Sequence, residues 1–117
     1  MTIKLLNRSA LTVRPKAPMA DWVARVAPDE ALDLEQLRRE GTTYLIDEVE
    51  QESDFADALK NGWQAIFENE LAAWDEFADE WPEPLTPELF DQWFDVEPQI
   101  LAFDLSAQPL LRAELES

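Results

Sequence analysis

Six carboxylates crowd the stretch FENELAAWDEFADEW, Phe67 to Trp81, with no basic residue among them. Glu68, Glu70, Asp75, Glu76, Asp79 and Glu80 offer oxygen ligands, general acids or a charged docking surface. Glu76-x-x-Asp79 has the spacing of helical carboxylate metal sites, suited to Mg²⁺, Mn²⁺ or Ca²⁺. Such a site needs a third carboxylate, and no second E-x-x-D/E helix clearly faces this one. A glycosidase-type pair is open by residue type, but no pair stands out in so small a chain. The remaining catalytic repertoire is thin. The chain has neither His nor Cys. That removes the commonest general base, the commonest transition-metal ligand and all thiolate chemistry. Gly41 and Gly62 are the only glycines, so a phosphate-cradling glycine loop is not available. Lys60 reads as a helical partner of Glu52, Asp57 or Gln64 rather than as a nucleophile. No cofactor is implied.

The charge around this stretch is lopsided. Residues 1–46 carry seven basic and six acidic side chains, whereas residues 47–111 carry eighteen acidic side chains and only Lys60. The net charge of −17 therefore resides in the second part of the chain. Such a field repels nucleic acid and anionic membranes and attracts cations or basic proteins. Binding to DNA or RNA is not expected, because phosphate neutralisation needs a basic patch. No apolar run approaches the roughly 20 residues of a membrane span, and the N-terminus lacks the apolar core of a signal peptide. A soluble, cytoplasmic protein is expected. At 117 residues, 46% of them hydrophobic, the chain suits one domain with its own core.

The elements that must position these residues are legible in the periodicity. SALTVRP, Ser9–Pro15, alternates as a strand with Leu11 and Val13 on one side and Thr12 and Arg14 on the other. TIKLL before it is read as pairing back across Asn7-Arg8-Ser9. Met19, Trp22, Val23 and Val26 mark one face of a helix ending near Pro28. Asp33 and Gln36 form a capping box for a short helix that Gly41 stops. TTYLID is a second strand, with Tyr44 in the core or on the sheet surface. A long helix is predicted from Ser53 or Asp54 to about Glu80, with Phe55, Leu59, Trp63, Ile66, Phe67, Leu71, Trp74, Phe77 and Trp81 in one stripe and a weak point at Gly62. WPEPLTP ends it. Thr86 and Pro87 open another helix, with Leu89, Phe90, Trp93 and Phe94 on its apolar face and Pro98 closing it. QILAFDLS is a last strand with Leu101, Phe103 and Leu105 on one side and a solvent-facing Asp104 on the other. The tail is expected to pack through Leu110 and Leu111. The sum is a single α+β domain over residues 1–117, a small sheet of three or four strands with helices packed on one face.

The stretches NRSALTVRPKAPMADW, TTYLIDE, FENELAAW and WFDVEP…LAFDL together resemble a family of small, acidic bacterial proteins of unknown function. The resemblance covers most of the chain. It implies a bacterial cytosolic protein with a compact α+β fold, and it brings no activity and no catalytic residues.

On the predicted long helix, Glu68, Asp75 and Asp79 fall opposite the aromatic stripe, Asp57 extends that row, and Glu76 lies beside it. Pairs such as Asp75–Asp79 and Glu76–Glu80 repel by roughly 0.2–0.5 kcal/mol each, and acids in a last turn oppose the helix dipole. A surface that gives up stability in this way invites a use. One use is a basic protein partner bound by charge complementarity, in the extreme by nucleic-acid mimicry, since residues 68–80 of a helix rise about 18 Å. Another is a divalent cation. The plain alternatives are a solvated face without a ligand and an acidic composition suited to a salty cytoplasm. Among the aromatics most are expected in the core, with one or two left exposed around WPEPLTPELFDQWF as partner anchors. The sequence thus points to a non-enzymatic acidic interaction module, inhibitory or immunity-like by analogy. Its candidate partner-binding residues are Asp57, Glu68, Asp75, Glu76, Asp79, Trp81 and Trp93. The alternative is a carboxylate-based divalent-metal-binding protein or enzyme.

Overall fold

The computed structural model describes residues 2–30 and 32–115. The elements follow in the order β1 (Lys4–Leu5), β2 (Arg8–Pro15), α1 (Ala17–Val26), α2 (Leu34–Arg39), β3 (Thr42–Asp47), α3 (Ser53–Ala72), α4 (Pro87–Trp93), β4 (Phe94–Gln99) and β5 (Phe103–Asp104). A three-stranded antiparallel sheet in the order β3-β2-β4 forms the centre, and β1 and β5 pair apart from it. This is the α+β architecture expected, with a three-stranded main sheet.

Register explains the layers. Leu11 stands opposite Tyr44 and Pro98, and Val13 stands opposite Thr42 and Val96. Directly paired residues share a face, so Leu11, Val13, Tyr44, Phe94 and Val96 make one apolar surface. Helices α1, α3 and α4 cover it with Met19, Trp22, Val23, Ile66, Phe67, Leu71, Phe90 and Trp93. The opposite face carries Thr12, Thr43, Arg14, Asp95 and Glu97 and meets water. Phe67, fully buried, is the hub of the core. Its ring lies 5.5 Å from Phe94, 5.6 Å from Phe90 and 5.7 Å from Trp93, in tilted or edge-on arrangements that favour aromatic pairs.

Local signals account for most boundaries. Lys16 precedes α1, with Pro18 in its first turn. The Asp33–Gln36 capping box forms as read, and Thr86 accepts the N–H of Leu89 to start α4. Gly41 ends α2 for a different reason from the expected left-handed turn. A Cβ there would meet the Val13 carbonyl oxygen and the Arg14 side chain at 3.0 Å. Any side chain there would force the Val13 carbonyl or the Arg14 side chain to give by a few tenths of an ångström. The buried Ser9 hydroxyl donates to the Ile100 carbonyl and accepts the Val49 N–H, both at 2.9 Å, which ties three chain segments at one end of β2.

Several expectations fail for identifiable reasons. Helix α3 runs through Gly62 without a break but ends at Ala72, eight residues before Glu80. It has no basic residue in its last turn to complement the dipole, and the Asp75 side chain competes for the backbone N–H groups that would follow. TIKLL does not fold back on SALTVRP; β1 pairs with β5 at the other end of the chain. Phe94 is not the last residue of a helical face. It starts β4, a strand that carries Pro98 on a sheet edge, where a missing N–H costs no ladder bond. Of QILAFDLS, Gln99 ends β4, and only Phe103 and Asp104 form a strand of their own. Leu110 and Leu111 do not pack, being 64% and 91% exposed. Among the described residues no helix is long and apolar enough to cross a membrane.

Candidate functional site

The segment after α3 is a loop built around Asp75. Its carboxylate accepts the N–H of Glu80 at 2.7 Å and that of Asp79 at 3.3 Å. The Asp75 carbonyl accepts the indole N–H of Trp81 at 2.9 Å. Trp22 of α1 donates its own indole N–H to the Glu80 carbonyl at 2.9 Å. Four hydrogen bonds thus close the loop and fasten it to the helical layer. Ala78 at its tip has φ of +59°, the left-handed region that side chains with a Cβ avoid. This conformation costs on the order of 1 kcal/mol and is held by the bonds around it.

The loop reverses the expected roles of several residues. Asp75 is a structural acceptor and not a free surface charge. The Asp75–Asp79 repulsion drawn from helical spacing is replaced by a hydrogen bond from the Asp79 N–H. Trp81 is half-buried against the core with its indole N–H satisfied. Trp93 is not a surface anchor. It is 9% exposed and packs on Trp22 and Phe67. The exposed ring of this loop is Phe77, at 80%, a residue the periodicity assigned to the buried stripe. Exposed Glu76 and Asp79 sit either side of it in sequence, with Glu80 and Glu83 following, also exposed.

The remaining candidates lie elsewhere. Glu68 is half-buried on α3. Asp57 lines an open groove between α3 and the end of β3, with Asp47, Glu48, Glu50 and Asp54. The expected single acidic row is therefore two patches, one around Asp57 and one around Phe77. The helical rise used to compare residues 68–80 with a nucleic-acid strand does not apply beyond Ala72. The Glu76–Asp79 ligand pair loses its helical spacing in the same way. Among the described residues no three acidic side chains come together in a way that could hold a metal ion.

The basic residues do not reach the loop. Arg38 Nη1 binds the Asp95 carboxylate at 2.7 Å, Lys16 stands 3.7 Å from it, and Arg14 meets Glu97 at 3.3 Å. The Arg38 hydrogen bond, helped by the nearby Lys16 charge, holds Asp95 below the usual carboxylate range. Among the described residues, no ion pair involves a carboxylate between Asp47 and Asp91, and Lys60 makes none with its helical neighbours. The first acids of β4 are neutralised at one end of the sheet, while those of the loop are left uncompensated.

Beside the loop lies a cleft of about 160 Å³ whose lining includes Met19, Val23, Leu37, Trp74, Glu40 and Glu70. Tyr44 donates to Glu70 at 2.6 Å and accepts from Asn69 at 2.9 Å. Burial pushes the Tyr44 phenol well above its ordinary value; the Asn69 hydrogen bond works against this and Glu70 reinforces it. The pair thus holds Glu70 as an acceptor beside an apolar wall. Sequence reading missed this constellation because Tyr44 and Glu70 lie on different elements.

No known protein family, curated protein or solved structure matches this chain.

Proposed function

We propose that this protein is a non-enzymatic interaction module that binds a basic protein partner through the loop from Ala73 to Glu83. The observation that carries the reading is Phe77, a ring 80% exposed amid carboxylates that make no ion pair among the described residues. An aromatic side chain held out from a closed loop loses little entropy on binding and serves as an anchor. Glu76, Asp79, Glu80 and Glu83 form the polar rim that steers a cationic surface to it. The neighbouring cleft supports the same reading. Apolar side chains with Glu40 and Glu70 suit the aliphatic stem and charged head of a partner's Lys or Arg. The strain at Ala78 supports it too, because backbone held in a costly conformation clusters at functional sites.

The test is to compare Phe77→Ala and the pair Glu76→Lys/Asp79→Lys with the wild type for retention of basic proteins. All three changes lie on exposed loop positions, so folding is preserved. Phe77→Ala weakens binding at least tenfold, and the charge reversal abolishes it. Retention that is equal in all three overturns the reading.

A further inference from the structure

A second surface stands apart from the acidic loop. Beyond the main sheet the two chain ends continue as a ribbon, with Lys4 opposite Asp104 and Leu5 opposite Phe103. Between the Leu5–Phe103 and Ala10–Gln99 pairs lie four residues on the N-terminal side, 6–9, and three on the other, 100–102. The extra residue is a bulge, which bends the strand. The two-residue period of a strand puts Ile3, Leu5, Phe103 and Leu105 on one face and Lys4 and Asp104 on the other. The four apolar side chains are 63%, 62%, 54% and 58% exposed. Leu101, two residues before β5, is also exposed, at 62%. The charged face is occupied with the ribbon's own backbone. Lys4 donates to the Ser106 carbonyl, and Asp104 accepts the Ser106 N–H. The radius of gyration, 15.6 Å, exceeds the roughly 13 Å of a compact chain of this length, so the chain is more extended than a compact body.

An amphipathic two-stranded ribbon with an open apolar face is marginal in water. Five side chains so exposed make a patch on the order of 500 Å², the size of the largest apolar patch on a typical monomer, which is often functional. The described tail, residues 106–115, leaves it uncovered, since Leu110 and Leu111 are themselves exposed.

We infer that this face is a homodimer interface, in which a second copy lays the same ribbon face against it across a two-fold axis. Three observations favour a second copy as the occupant. The face is self-complementary, an apolar strip that packs on its own likeness as two sheets do. Face-to-face packing buries no charge, because Lys4 and Asp104 lie on the outer side. Residues 2–6 and 100–106 carry only that one cation and one anion, so in a chain of net charge −17 the ribbon brings no net charge to the contact. Two such patches bury about 1,000 Å² together, the area a specific interface must at least reach.

Sedimentation equilibrium of the full chain tests this, at about 0.05 and 0.5 M salt, on either side of the range in which surface charges become screened. The expected mass is twice the 13.5 kDa of the chain. The dimer tightens as salt rises, because screening relieves the repulsion between acidic bodies, whereas binding of a basic partner loosens. Leu5→Lys and Phe103→Lys each raise the dimer Kd at least tenfold and leave the far-ultraviolet circular dichroism unchanged. Phe77→Ala leaves the dimer intact, so this inference and the acidic-loop reading fail separately. A wild type that is monomeric at both salts, or a dimer that survives both ribbon variants, overturns the inference.

Discussion

The carboxylate of Asp75 accepts the backbone N–H of Glu80 at 2.7 Å, and through this bond the residues after α3 become a closed loop in place of two more helical turns. The consequence reaches the neighbouring acids Glu76, Asp79 and Glu80. Carboxylates that would have repelled one another along a helix face are distributed around a loop, and Phe77 turns from a core position to solvent.

Phe77 leaves the buried stripe that its spacing predicts, whereas Trp93, named as a partner anchor, lies on the apolar face that its spacing predicts, and their energetics follow. Phe77→Ala changes stability by no more than about 0.5 kcal/mol, as for an exposed site without special contacts. Trp93→Ala removes a ring packed on Trp22 and Phe67 and costs roughly 3–5 kcal/mol. Urea unfolding of the two variants measures both. Equal losses would contradict the assignment.

Two substitutions probe the loop itself. Ala78→Gly removes the Cβ from a left-handed residue and raises stability by about 0.5–1 kcal/mol. Asp75→Ala removes the acceptor of two backbone N–H groups and lowers it by about 1 kcal/mol. It also quickens limited proteolysis between Ala73 and Trp81. Thermal melts read the opposite signs. If Ala78→Gly destabilises, the loop does not hold that residue in the left-handed region.

Tyr44 is the only tyrosine in the chain, so its phenolate can be followed without interference. In the folded protein it ionises well above the ordinary tyrosine value of about 10, mainly because burial disfavours the anion. A group whose folded pKa is raised contributes stability that is complete below the unfolded pKa and is lost as pH climbs above it. Absorbance titration therefore shows a delayed transition when folded and an ordinary one in denaturant. Glu70→Gln brings the folded value down. A folded transition at the ordinary value would contradict the Tyr44–Glu70 geometry.

Asp95 gives the opposite sign. Its folded pKa lies below the unfolded carboxylate value of about 3.9. Its contribution is thus present above that pH and is lost as pH falls through the folded value. The melting temperature of Asp95→Asn, measured from neutral pH down to strong acid, starts below that of the wild type and converges on it in acid. A constant difference across the range would show that the Arg38 contact does not depend on the charge.

The sequence shows the fold where the information is local. The alternation of SALTVRP, the Asp33–Gln36 capping box and the Thr86-Pro87 start each depend on neighbours within a few residues, and each forms as read. Pairing between distant segments was not legible. Nothing in TIKLL distinguishes a return onto β2 from a pairing with Phe103 and Asp104, about a hundred residues away. The strand β4 was hidden because FDVEPQ follows a helix without a break and contains a proline. The candidate site was half legible. Its acidity and lack of cations stand in the sequence, as does the conflict of those acids with a helix dipole. That conflict was the signal that α3 ends early. The position of Phe77 was not legible, because its spacing from Trp74 and Trp81 fits a helical stripe until Asp75 caps the loop.

The central claim is that the loop around Phe77 captures a basic protein. The most direct measurement is a parallel pull-down from host lysate on immobilised wild type, Phe77→Ala and Glu76→Lys/Asp79→Lys, eluted along a salt gradient and read by mass spectrometry. The account predicts a discrete basic protein that the wild type releases at moderate salt and that both variants fail to hold. A basic protein retained equally by all three, or none retained by the wild type, would contradict it.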